Sequence, residues 1–214
     1  MGFDKLFAPL CGKPLLAFTL SVFERTHSVT EMIIVGPANR LAEIEKLARV
    51  IAPKKMRTLT AGGEQRQDSV RAGLRCVNAD AEFVAIHDAA RPLVTPELIE
   101  RVYATARQHG AAAVAEAVTD TLKRAGNDLA VSGSVDREGV FAMQTPQIFS
   151  RDLIEQAYRV LAEKNVSVTD EVSAVELLGR KVVLVRNADF NPKITFPRDF
   201  ALAEFVLGHR GRSR

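Results

Sequence analysis

An α/β fold with a mostly parallel sheet flanked by helices, and a β-arm protruding from it, is what this sequence predicts. Short apolar runs alternate with stretches of helical periodicity, the pattern of a parallel sheet wrapped by helices. The runs carry few polar residues, as strands buried on both faces must. Between Thr119 and Phe149 the rhythm breaks into a polar, glycine-punctuated stretch, and 214 residues suffice for one domain with a small appendage.

In chain order, Met32 to Val35 is an apolar run short enough for a strand, and Asn39 to Val50 has the spacing of an amphipathic helix. Met56 to Thr60 reads as a strand and Ser69 to Val77 as a helix, before a strand from Glu82 to Ile86 that ends at His87. The helix Pro96 to His109 has Thr95 as its cap and a proline in its first turn, and the strand Ala111 to Val118 follows. Thr119 to Phe149 has only short apolar pieces, at Leu129 to Val131 and Val140 to Met143, and is expected to leave the sheet as a β-ribbon. Helices resume at Arg151 to Lys164 and at Glu171 to Leu178, where Gly179 is placed as a stop. Lys181 to Val185 is a further strand and Pro197 to Leu207 the last helix. A two-stranded ribbon is marginal alone in water. The same ribbon of a second subunit is the economical cover, so the arm predicts a homodimer.

Composition removes several classes of function. Hydrophobic residues make up 47% and charged ones 26%, as in an ordinary globular domain. No stretch has the length of a membrane span and no signal-peptide pattern opens the chain, so the expected compartment is the cytoplasm, with no membrane partner. Cys11 and Cys76 are far apart without metal-ligand or redox spacing and read as small buried or half-buried hydrophobes. The net charge of +3 resides in the end of the chain: removing the three arginines of residues 210–214 from the 29 basic residues leaves 26, equal to the 26 acidic ones. Residues 209–214 are therefore read as a basic, disordered tail, and a neutral body with two Tyr and no Trp argues against nucleic-acid binding.

The most informative junction is His87-Asp-Ala-Ala-Arg-Pro92. It follows a buried strand, so it lies at the carboxyl edge of the sheet, where open α/β folds bind ligands. There Asp88 can hold a hydroxyl or a metal ion, and Arg91 offers a fork of donors suited to phosphate. The plainer alternative makes Asp88 a helix cap and Arg91 a surface ion-pair partner.

Four other places carry chemistry. Gly62-Gly63-Glu64 opens a turn into a helix at Ser69, where backbone donors and the hydroxyl can face a nucleotide; an ordinary loop capped by Asp68 or Ser69 is the competing reading. On the ribbon, Thr121, Lys123, Arg124 and Arg137 gather hydroxyl and cation suited to a phosphorylated substrate, although Lys123 and Arg124 read better as a solvated face. Thr169 is a candidate substrate contact, with capping of the next helix by Thr169 or Asp170 as the alternative. Pro192 and Pro197 stiffen the segment around Lys193 and hold it toward the site. No Ser-His-Asp order, HExxH or GxxxxGK[ST] occurs, and the four histidines are not at ligand spacing. What remains is lysines, arginines and one well-placed aspartate. That is equipment for phosphoryl or nucleotidyl transfer, usually with Mg²⁺.

Met1-Gly with Asp4-Lys5, Leu10-Cys-Gly-Lys-Pro-Leu15, GGExRxxSV from Gly62, HDAARP, DTLKR from Asp120, VDR ending at Arg137, QTPQIF from Gln144, TDEVSAVE from Thr169 and Asn191-Pro-Lys-Ile-Thr195 occur in this order. Together they resemble the 2-C-methyl-D-erythritol 4-phosphate cytidylyltransferases of the non-mevalonate isoprenoid pathway. The resemblance implies a Rossmann-like, nucleotide-diphospho-sugar-transferase-like fold over residues 1–208, with 119–149 as the dimerisation arm. It also implies Mg²⁺ and CTP, whose α-phosphorus is attacked by the phosphate of a polyol phosphate while pyrophosphate leaves. By motif, Lys5 resembles the lysine that stabilises the transition state, and Lys193 and Arg137 those that position the acceptor. Arg91 and Thr121 resemble further substrate contacts, some made across the dimer, and Asp88 a substrate- and metal-side carboxylate. Ser69 and Gly62-Gly63-Glu64 resemble the cytidine contacts, with Glu64 where an Asp often stands.

The family pattern has a buried strand and a loop of the form A-A-G-x-G-x-R ahead of its Met-Gly, which here are the first two residues. The expectation is a longer native protein, whose upstream segment supplies triphosphate donors, an arginine to share transition-state charge with Lys5, and a central strand whose neighbours are otherwise unpaired. Two alternatives stay open: transfer to another polyol phosphate such as ribitol 5-phosphate, and a nucleotide-binding remnant without turnover.

Overall fold

The computed structural model describes residues 5–212. Strands β1 (Pro9–Leu10) and β2 (Lys13–Pro14) form a small hairpin before helix α1 (Leu15–Arg25). Strand β3 (Met32–Gly36), helix α2 (Leu41–Ile51), strand β4 (Met56–Ala61) and helix α3 (Arg66–Leu74) follow. Then come β5 (Phe83–Ile86), α4 (Pro96–His109), β6 (Ala111–Ala117), and the hairpin of β7 (Leu122–Ala125) and β8 (Val131–Val135). The chain continues through β9 (Phe141–Ser150), α5 (Arg151–Lys164), α6 (Glu171–Glu176), β10 (Val183–Arg186) and α7 (Pro197–Arg212).

The principal sheet has the order β10-β6-β9-β5. β10 pairs parallel to β6, whereas β9 pairs antiparallel to both β6 and β5. Three strands thus share one direction and β9 opposes them. Residues 111–115 of β6 are fully buried and mostly alanine, so helices approach closely on both faces. Ala112 and Val114 pack into a cluster with Ile99, Val102 and Ala106 of α4. Ala111 and Ala113 join Ile154, Ala157 and Leu161 of α5. The alternation is the period-2 signature of a strand buried on both faces.

Several expectations are corrected. Helix α1 has no counterpart among the elements expected from periodicity, because LLAFTLSVF buries residues all round and shows no polar stripe to mark a face. The excursion is shorter than 119–149: the free hairpin is β7–β8, and residues from Phe141 return as a central strand of the main sheet. Pro146 argues against a central strand, and the structure accommodates it at an irregularity. Ala113 pairs with Gln147 and Ala115 with Met143, so Gln144-Thr145-Pro146 bulge opposite Val114, with a cis Thr145–Pro146 peptide. Helix α7 continues to Arg212, and Arg210 donates to the Leu93 carbonyl at 2.7 Å, so residues 209–212 are helical and Arg210 is tethered, unlike the disordered tail expected. Ser213 and Arg214 lie outside the described residues. Cys11, expected to be buried or half-buried, is exposed, and Cys76 is half-buried. No described helix is long and apolar enough to cross a membrane.

β3 and β4 form a separate parallel pair, and neither is bonded to β5. Between β3 and β5 lies a cavity of about 400 Å³ lined by Ile33, Val35, Val84 and Ile86 and roofed by α1 and α3. It explains why the apolar residues Ile33 to Val35 are only half-buried and Ala85 is exposed. Among the described residues, the edges of β3 and β5 that face this cavity have no ladder partners for their backbone groups. Amides on those edges are therefore expected to exchange with deuterium well ahead of the β6 amides; equal protection across all three strands would contradict this topology.

Candidate active site

The site is built at the end of β5. Because β9 runs opposite to β5 with Gln147 beside Ile86, its bulge places Thr145 next to the residues that follow. The Asp88 amide donates to Thr145 Oγ1 at 3.0 Å, and the Asp88 carbonyl accepts from the Arg91 amide at 2.9 Å. HDAARP is thereby held as a turn, with Leu93 and Val94 buried behind it.

Three cations converge on the Asp88 carboxylate. Lys193 Nζ lies 3.1 Å from Oδ2, Arg66 Nε 3.3 Å from Oδ1 and Arg91 Nε 3.6 Å from Oδ2. Burial pushes this carboxyl up, but Lys193, Arg66 and Arg91 outweigh it and hold it below the ordinary range. Lys5 is coupled to the charges of the cluster: burial first, then the charge of Lys193, lower its pKa, opposed by Asp88 and Asp199. The site therefore holds more positive than negative charge.

The scaffold around the cluster is polar and well bonded. Arg91 donates to the carbonyls of Asn191 at 2.9 Å and Met143 at 3.5 Å, while its buried Nε has no hydrogen-bond partner. Lys193 is carried on a segment pinned by Ile194 N to Ala90 O at 2.8 Å. Buried Gln144 accepts from Asn187 and Asn191 through Oε1 and donates to Glu116, which fastens the strand bulge to the loop bearing Lys193.

The turn after β4 stands beside this cluster, because Arg66 at the head of α3 reaches Asp88. A Cβ on Gly62 would lie 2.5 Å from Ser69 Oγ, and one on Gly63 would lie 2.4 Å from Asp68 Cβ, so both positions need glycine for close approach. The Gly63 amide donates to Ser69 Oγ at 3.2 Å and the Gln65 amide to Asp68 Oδ2 at 3.3 Å. Glu64 is exposed.

Asp88, Arg91 and Lys193 are thus brought together, with Lys5 coupled to their charges and Gly62, Gly63 and Ser69 adjoining. Thr121 and Arg137 are not: they sit at the base of the arm, Arg137 donates to the Thr119 carbonyl, and among the described residues neither bonds to the Asp88 cluster. Thr169 is exposed, and the cap of α6 is Asp170, whose Oδ1 accepts from Ser173 N at 3.0 Å. Sequence reasoning passed over Arg66, Thr145, Gln147 and Glu171. Gln147 accepts from the amides of Glu171 and Val172, both at 3.2 Å. The available signal was the placing of polar residues inside otherwise apolar runs, QTPQIF and DEVSAV, where an unpaired polar group would be costly.

A magnesium ion held by the protein does not fit these residues. Both oxygens of Asp88 face cations, and among the described residues no three His, Cys, Asp or Glu side chains gather as a ligand set. Asp88 was expected on the metal side of the site; in this structure both of its oxygens are engaged by cations.

His87 is desolvated against Phe23, which lowers its pKa to about 4, and its two ring nitrogens face Thr145 Oγ1 at 3.0 Å and the Arg91 carbonyl at 3.2 Å. A neutral ring that donates from Nε2 and accepts at Nδ1 satisfies both. Since the folded pKa is below the unfolded one, falling pH protonates the unfolded chain first. Stability should fall as pH drops from about 6.5 toward about 4, by on the order of 3 kcal/mol, and His87→Gln should flatten that slope in urea titrations. A wild-type stability that does not change over this window would contradict a half-buried imidazole held neutral.

Comparison with known proteins agrees with this geometry. The family model described as 2-C-methyl-D-erythritol 4-phosphate cytidylyltransferase matches residues 1–209. A protein of that name from Halalkalibacterium halodurans is 40% identical over 211 residues, covering 99% of this chain and 92% of its own length. One from Symbiobacterium thermophilum is 38% identical over 213 residues, covering 99% of this chain and 88% of its own. The crystal structure of 4-diphosphocytidyl-2C-methyl-D-erythritol synthase from Anaerococcus prevotii superposes with a TM-score of 0.87 at 28% identity, covering 95% of this chain and 93% of that one. The cytidylyltransferase from Thermus thermophilus gives 0.81 at 31% identity, covering 95% and 93%. With a family model matched along nearly its whole length and a fold shared with solved members, this chain belongs to the 2-C-methyl-D-erythritol 4-phosphate cytidylyltransferase family.

Proposed function

We infer that the chain transfers the cytidylyl group of CTP to 2-C-methyl-D-erythritol 4-phosphate, releasing pyrophosphate, in isoprenoid precursor synthesis. The observation that carries this reading, beside family membership, is the surplus of cations around Asp88 at the carboxyl edge of the sheet. A site of that charge attracts two phosphorylated substrates that repel each other in water. The acceptor's phosphate oxygen forms a bond to the α-phosphorus of CTP, and the bond from that phosphorus to the bridging oxygen of pyrophosphate breaks. Catalysis here is positioning and neutralisation of charge.

Lys5 faces the charge that develops on the α-phosphate and leaving group. Lys193 and Arg91 meet the acceptor phosphate, with Arg91 Nε held by Asp88 Oδ2 as an ion pair at 3.6 Å. The Gly62-Gly63-Glu64 turn and Ser69 receive the cytidine, and Thr169 borders the substrates. A magnesium ion brought in with the nucleotide would supply neutralisation of phosphate charge, and Asp88 is the carboxylate of the cluster.

Thr121 and Arg137 act on the site of a second subunit. The arm that carries them leaves Leu129 84% and Val131 66% exposed, apolar surface suited to the arm of a second copy. The chain works as a homodimer, and each arm completes its neighbour's acceptor site.

Pyrophosphate release with CTP and methylerythritol phosphate is the expected activity; turnover with ribitol 5-phosphate alone would overturn the choice of acceptor. Lys193→Ala and Arg137→Ala should each lower kcat/KM for the acceptor by roughly two orders of magnitude, while Lys5→Ala should act chiefly on kcat. Mixing Arg137→Ala and Lys5→Ala subunits should recover activity in hybrid dimers, because one site then carries neither lesion. No recovery in a verified hybrid would place both residues in the same subunit's site.

A further inference from the structure

Arg66 is the cation of the cluster whose position is itself fixed by a second, fully buried carboxylate. Glu171 at the start of α6 is 0% exposed, and its two oxygens accept from Arg66 Nη1 at 2.6 Å and Nη2 at 2.8 Å. Tyr158 of α5 donates to Glu171 Oε1 at 3.0 Å, and the Glu171 amide is anchored on Gln147. The guanidinium is planar, so once both of its terminal nitrogens are committed the direction of Nε follows. That third nitrogen points at Asp88 Oδ1 at 3.3 Å. Burial works against the charge of Arg66, and the bonds to Glu171 outweigh it.

We propose that Arg66 is a positioning residue for cytidylyl transfer: clamped by Glu171, it orients the Asp88 carboxylate so that its other oxygen holds Lys193 and Arg91 where the acceptor phosphate binds. The inference rests on the proposed role of the Asp88 cluster. Arg66 begins α3 directly after the Gly62–Gln65 turn, and Glu171 begins α6 after Asp170. One side chain therefore ties the nucleotide turn, the HDAARP turn and the TDE turn to a common geometry. A lysine in its place has one nitrogen and no fork, so it cannot serve both carboxylates in this way.

The competing account is a structural ion pair, whose loss merely leaves a charge buried. The double variant Arg66→Met with Glu171→Gln separates the two, because it removes both charges together. Relative to Arg66→Met alone it should regain thermal stability, yet its kcat should stay about tenfold to a hundredfold below wild type, the scale of a misplaced reacting geometry. A double variant with wild-type stability and wild-type kcat would overturn the proposal. Should it fail to fold, Arg66→Lys decides: at least a tenfold loss of kcat in a folded protein is expected, and an unchanged kcat overturns. Asp88→Asn supplies the remaining arm. If Arg66 acts through Asp88, Arg66→Lys should add less than about a twofold loss in that background, whereas fully multiplied losses would overturn the proposal. Wild-type turnover in Asp88→Asn would instead show that the assignment of the Asp88 cluster had failed.

Discussion

One carboxylate shared among three cations sets the terms for the rest of the site. Asp88 is largely buried, and an isolated charge there would be expelled by desolvation. Lys193, Arg66 and Arg91 make it tolerable, and Asp88 in turn holds close together cations that would otherwise repel. Each of the three arrives from a different part of the chain: the head of α3, the turn after β5, and the segment before α7. Their meeting therefore reports that those parts are correctly assembled. The net excess of positive charge is what suits the cluster to phosphate, whose arrival would relieve it.

The sheet explains how such a cluster is brought to one place. β9 opposes its neighbours and carries QTPQ at a bulge, so Thr145 reaches Asp88 and His87, Gln144 reaches Asn187 and Asn191, and Gln147 reaches α6. A regular strand would point alternate side chains at the two helix layers and spend none of them on the edge. In and beside the bulge, Gln144, Thr145 and Gln147 are directed toward the loops and the head of α6, a recurrent device next to active sites. In the same way Gly62 and Gly63 allow the turn to fold onto Ser69 and Asp68, which fixes the head of α3 and with it Arg66.

Much of this was legible in the residues. The apolar runs of β3, β4, β5, β6 and β10 announce themselves by length and composition, as does α4 by Thr95 and Pro96. Asp88 and Arg91 were found by position alone, at the end of a buried strand. Two kinds of feature escaped. Helix α1 buries nearly every side and so shows no periodicity, and β9 contains a proline and polar residues that local rules assign to a loop. Arg66 and Glu171 are ordinary charged residues in sequence, and only tertiary packing turns them into a buried bidentate pair. Thr121 and Arg137 stood out on the ribbon by residue type, yet among the described residues neither bonds to the Asp88 cluster.

A crystal structure with CTP bound tests the account most directly. It predicts the triphosphate over the carboxyl edge between the Gly62–Ser69 turn and the Lys5–Lys193 pair, with the cytosine on the side of Ser69 and Arg66 still clamped by Glu171. A nucleotide seated away from that turn, or phosphates that face away from Lys193 and Lys5, would contradict it.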